Sequence, residues 1–145
     1  MRLLPPGFRV AVELRHEGWF GTASRALRET WELFRQLGVG TVITDVAGRR
    51  DVLHMRLTAP FAFIRLVTNG LHPTDYTRAD AWVHRIKNWA EKGLREVYLF
   101  VHSPGEQTSP EMMSHIIRRL NEACGTQLRV PQLVNGGQAG NLSLF

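Results

Sequence analysis

Cysteine is nearly absent: Cys124 is the one residue of its kind. No intrachain disulfide can form, and a lone thiol fits a reducing cytosol. Long apolar runs are missing too, and nothing approaches the ~18–20 residues of a membrane span. A cytoplasmic location with no membrane partner is therefore expected. The opening Met1-Arg2-Leu3-Leu4-Pro5-Pro6-Gly7 is too short and proline-rich to read as a secretory leader. Acidic residues are outnumbered, 13 against 18 basic, giving a formal charge of +5. That balance suits contact with phosphates, in a small ligand or in nucleic acid. The arginines are scattered, however, and no basic run forms a nucleic-acid arm.

What is present is an ordinary globular composition of 145 residues, 43% hydrophobic and 21% charged, enough for one domain with a sizeable core. Apolar strands alternate with amphipathic helices. Strands are expected over residues 8–15, 40–46, 61–67 and 96–102. Helices are expected from Thr22 or Ser24 to Leu37, from Thr77 to Lys92, and from Ser109-Pro110-Glu111 to a stop at Gly125. Residues 1–127 form the folded unit. Residues 128–145, with Gly136-Gly137-Gln138-Ala139-Gly140, read as a flexible or weakly packed tail that lacks the Lys-Ser/Thr of a phosphate loop.

Nearly continuous apolar strands joined by helices argue for a parallel sheet, and so for an α/β fold. Length alone favours an open sheet over a complete (β/α)8 barrel. Alternation along each strand sorts the side chains by face. Glu13 and Arg15 share a face, as do Ile43 with Asp45, Phe63 with Arg65, and Phe100 with His102. Each polar member lies at the carboxyl end of its strand, where parallel α/β folds place their sites. Glu13, Arg15, Asp45 and Arg65 are therefore expected to converge, with His102 beside them. A structural ion-pair lattice would gather the same charges.

Two chemistries fit such a rim. Arg15 and Arg65 could grip an anion, with Glu13 or Asp45 as acid or base and His102 as proton shuttle. Alternatively, Glu13, Asp45 and His102 could hold zinc or manganese for phosphodiester hydrolysis on nucleic acid. No cofactor is otherwise expected. His16, His54 and His72 fall near loops and read as ordinary surface histidines, and His84 and His115 read as solvent-facing.

At these residues the sequence resembles a family. Val10-Ala11-Val12-Glu13-Leu14-Arg15-His16 with Trp19, then Asp45, Phe63-Ile64-Arg65, Tyr76, Trp89 and Val97-Tyr98-Leu99-Phe100, are similar to the second half of the YecE-like proteins, domain of unknown function 72. The resemblance implies about half of a TIM-type (β/α)8 barrel, its last four strands, in chains of about twice this length. It implies a rim site at Glu13, Arg15, Trp19, Asp45 and Arg65, with Trp19 as a ligand-binding residue, rather than a particular reaction. Two motifs depart from the family. Leu66-Val67-Thr68-Asn69-Gly70 stands where Arg-x-His-Gly is frequent, and Val101-His102-Ser103 where paired asparagines are. Four strands leave two open edges and an apolar row of Ala11, Ile43, Phe61, Phe63, Tyr98 and Phe100. Self-association, or a missing amino-terminal half, is the expected partner. An inactive truncated chain is the remaining functional alternative.

Overall fold

A computed structural model describes residues 7–20 and 25–132. In chain order the elements are β1 (Ala11–Val12), a 3-10 turn (Glu17–Trp19), α1 (Arg25–Leu37), β2 (Gly40–Val46), β3 (Phe61–Val67), α2 (Pro73–Glu91), β4 (Glu96–His102), a second 3-10 turn (Glu106–Thr108) and α3 (Ser109–Cys124). The strands are all parallel and lie in the order β1-β2-β3-β4. A doubly wound sheet would reverse direction at a switch point. Sequential parallel β/α units are instead the arrangement of half a TIM-type barrel.

The bounds of β2, β3 and β4 coincide with the expected ones because each is a short apolar run closed by turn residues. β1 is shorter than its pattern. Only Ala11 and Val12 pair with β2, at Gly40 and Thr41, and no described strand lies on the other edge. α2 starts four residues earlier than Thr77. His72 caps it by accepting from the Thr74 amide, Pro73 occupies the first turn, and Asp75 closes a capping box. Gly125 ends α3 in the left-handed region (φ 65°), where glycine carries no Cβ penalty. Of the tail, residues 128–132 are described. Asn121 holds Leu128 by both of its backbone polar groups, at 2.9 Å each. The glycine stretch of the tail and the capping residues Thr22 and Ser24 lie outside the described residues.

The core lies on one face of the sheet. Ile43, Ile64 and Leu66 meet Ala79, Trp82, Val83 and Ile86 of α2 and Met112 and Ile116 of α3. Ile43 thus belongs to the helix-covered side, not to the open row. The other face carries Phe61, Phe63, Tyr98 and Phe100 in ring contact, and Phe100 is 52% exposed.

Gly40 is fixed by this second face. A Cβ there would meet the Phe61 ring at 2.6 Å, and that ring is buried and stands edge-on to Tyr98. Gly40→Ala should therefore cost about 1–2 kcal/mol in urea unfolding. No loss would show that the Phe61 ring can swing away freely.

Candidate functional site

Register decides which polar side chains meet. Thr44 pairs with Arg65 and Arg65 with Phe100, and one step further Val46, Val67 and His102 align. These positions share the face away from the helices. Glu13 follows β1 and enters the same space. Its Oε1 accepts from Thr44 Oγ1 at 2.7 Å and lies 3.4 Å from Arg65 Nη1 and 3.7 Å from Arg15 Nε. Around them is a hollow of about 330 Å³ at the carboxyl ends of the strands, with Arg49 and His102 also on its wall. Arg49 is turned to Asp51, at 2.6 and 3.2 Å. The His102 ring is exposed and makes no hydrogen bond with a described residue.

Asp45 is not in this hollow. Its register partner is Leu66, so its side chain faces the helices, whereas Thr44 holds the position opposite Arg65. The expectation matched Asp45 to Arg65 by distance from the strand end, and the pleat puts them on opposite faces. The Asp45 carboxylate is 4% exposed. Arg78 reaches it with Nη2 at 2.7 Å and Nε at 3.1 Å, Arg50 at 2.7 Å, and the Trp82 indole N–H at 2.9 Å. Arg78 also donates to the Asp45 and Val67 carbonyls and to Asp75 Oδ1. Asp75 Oδ2 accepts the Asn69 and His72 amides. One buried network therefore fastens the ends of β2 and β3 to the start of α2, with every charge matched.

Four further expectations change. Glu13, Asp45 and His102 do not form one ligand set, because Asp45 lies across the sheet from the other two. Among the described residues no group of three or more metal-ligating side chains converges elsewhere. Trp19 is half-buried in the first 3-10 turn and does not line the hollow. His115 is not free in solvent: its Nε2 lies 2.9 Å from Asp80, which Arg119 also contacts at 3.2 Å. Burial works to raise the Asp80 pKa, but the hydrogen bonds from His115 and Arg119 prevail and hold it below the usual carboxylate range. His16 Nδ1 accepts the Gly18 amide and caps the turn before Trp19. His54 lies between the Phe20 and Trp31 rings instead of on the surface.

Sequence reasoning missed Thr44 and the Arg78 network. The signal for the network was present. Asp75, Arg78 and Trp82 recur on the sheet-facing stripe of α2, and a cation on such a stripe needs a carboxylate from the strand beneath.

The described residues form parallel β/α units consistent with part of a TIM-type barrel, with a polar hollow at the carboxyl ends of the strands. The family model for the protein of unknown function DUF72 matches residues 1–134, and the chain belongs to that family. Its fold is similar to that of a DUF72 family protein from Enterococcus faecalis V583, with TM-score 0.60 and 11% identity over 84% of this chain and 51% of that one. A second crystal structure from that organism gives TM-score 0.56 and 10% identity, over 90% and 53%. A DUF72 family protein from Thermotoga maritima MSB8 gives TM-score 0.48 and 19% identity, over 66% and 40%. The chain thus spans about half the length of the solved structures it matches. No curated protein matches it. Among the described residues no helix is long and apolar enough to cross a membrane.

Proposed function

We propose that the rim hollow binds a small anionic ligand, carboxylate- or phosphate-bearing. The observation that carries this reading is a charge imbalance. Arg15 and Arg65 face the hollow and share one carboxylate, Glu13, at the long distances of 3.7 and 3.4 Å. With Asp45 on the opposite face, no second carboxylate among the described residues offsets them. Arg65 makes no other hydrogen bond to a described residue, so the rest of its planar donor fork is free for a bidentate acceptor. An anion about 4 Å from one guanidinium gains up to about 4 kcal/mol at an effective dielectric near 20, and a cation meets the same repulsion. The volume lies at the small end of ligand pockets. Glu13 orients the arginines and stands ready, with His102, for proton transfer to a bound molecule.

Thermal unfolding in inorganic phosphate, against chloride at equal ionic strength, tests this. A phosphate concentration tenfold above Kd should stabilise by about 1.4 kcal/mol, a rise in Tm of about 4 °C. Arg65→Gln should lose that rise. An equal rise in the variant would refute the reading. Stabilisation by zinc alone, lost in His102→Ala, would point to a cation site instead.

A further inference from the structure

We propose that the sheet face away from the helices is closed by a second copy of this chain, β4 of each copy pairing in parallel with β1 of the other around a shared two-fold axis. Three observations carry this. First, a parallel sheet ordinarily has both faces covered. Here the rings of Phe63 and Phe100 stack at 4.9 Å and those of Phe63 and Tyr98 at 6.1 Å, on the face away from the helices. Phe100 and Tyr98 remain 52% and 38% exposed. Second, the strand count matches. Among the described residues the four sequential parallel strands leave two unpaired edges, and two such sheets supply the eight strands of a closed barrel. A two-fold axis along the barrel satisfies both edges at once, so the assembly is finite.

Third, the two edges are complementary in charge. Arg9, just before β1, and Glu96, at the start of β4, both point onto the open face at the amino-terminal end of the sheet. Within one chain Arg9 reaches across that face to Glu96 and to the Tyr98 hydroxyl. Both side chains stay about half exposed, 54% and 41%. When β4 lies beside β1 of another copy, Glu96 has the other copy's Arg9 on the neighbouring strand, and the same pair forms twice. The closed ring also brings both copies' Arg15, Arg65 and His102 to one mouth, giving the half-walled hollow its missing wall.

The test is the oligomeric state of the 145-residue chain, by sedimentation velocity across a concentration series. A dimer is expected, with a Tm that rises with protein concentration. Arg9→Glu and Glu96→Arg should each weaken the dimer about tenfold or more, because like charges then face one another on adjacent strands. An equimolar mixture of the two variants should restore it as a heterodimer. A pair that stays within one chain would give no rescue. Phe100→Glu should yield monomers whose circular dichroism keeps the helical signal. A monodisperse monomer, open-ended aggregates, or a mixture that stays dissociated would each overturn the proposal. Phosphate binding by a monomer would leave the rim site standing without it.

Discussion

Asp45→Ala should lower the unfolding free energy by about 3–5 kcal/mol, the usual cost of removing one partner from a buried charge pair. Arg78, 14% exposed, keeps Asp75 and two carbonyls but loses the acceptor at 2.7 and 3.1 Å. The Trp82 indole N–H, on a residue 2% exposed, loses its one acceptor among the described residues, itself worth about 1–3 kcal/mol. Arg50 adds little, because its side chain is 58% exposed. Against a domain stability of ~5–15 kcal/mol the loss is large. Asp45→Asn should fall between, since the amide oxygen still accepts from Trp82 while Arg78 is left with Asp75 as its carboxylate partner. Urea unfolding followed by tryptophan fluorescence measures both. A change under about 1 kcal/mol for Asp45→Ala would show that water or a rearranged Asp75 replaces the carboxylate. At temperatures where the variant stays folded, phosphate affinity should match the parent's. A loss of affinity without a loss of stability would put Asp45 back among the site residues.

The contrast between Asp45 and Glu13 shows what the chain makes legible. The interior strands β2, β3 and β4 and the helix stop at Gly125 could be read because local chemistry determines them. Strand alternation also grouped Glu13, Arg15 and Arg65, which do come together, although Glu13 and Arg15 lie past the end of β1. Pairing across strands is not local. A register difference of one residue exchanges Asp45 for Thr44 at the rim, and no window of sequence around β2 carries that information. α2 held the missing clue, in Arg78 and Asp75 on a largely apolar stripe, but using it required knowing which face of β2 the helix covers. The length of β1 was misread for a related reason. Its residues have strand character on both sides of Val12, yet a ladder needs a neighbour, and the outer edge has none among the described residues.

His54 is the residue whose environment was least visible, because Phe20 and Trp31 come to it from distant segments. Its ring lies 5.7 Å from Phe20, nearly parallel, and 4.9 Å from Trp31. Burial in this aromatic slot pushes its pKa down from 6.5 to about 4. A hydrogen bond with the Val42 backbone acts in the opposite direction, and the nearby Arg56 charge adds to the depression. Nδ1 also accepts the Arg56 amide, which only an unprotonated nitrogen can do. The consequence for stability has a definite sign. Above pH 6.5 the ring is neutral folded and unfolded, and contributes no pH dependence. Between pH 6.5 and 4 the unfolded chain takes up a proton that the folded chain excludes, so stability falls as the pH falls through that window. Taking the pH from 7.5 to about 4 should cost about 2–3 kcal/mol through this one residue. His54→Phe keeps a ring in the slot and removes the proton, so its stability should fall less by that amount over the same range. The carboxylates titrate alike in both proteins and cancel in the difference. Urea unfolding at half-unit pH steps yields both curves. Parallel curves would mean that His54 takes its proton at an ordinary pH in the folded chain, and hence that the slot between Phe20 and Trp31 is open to water.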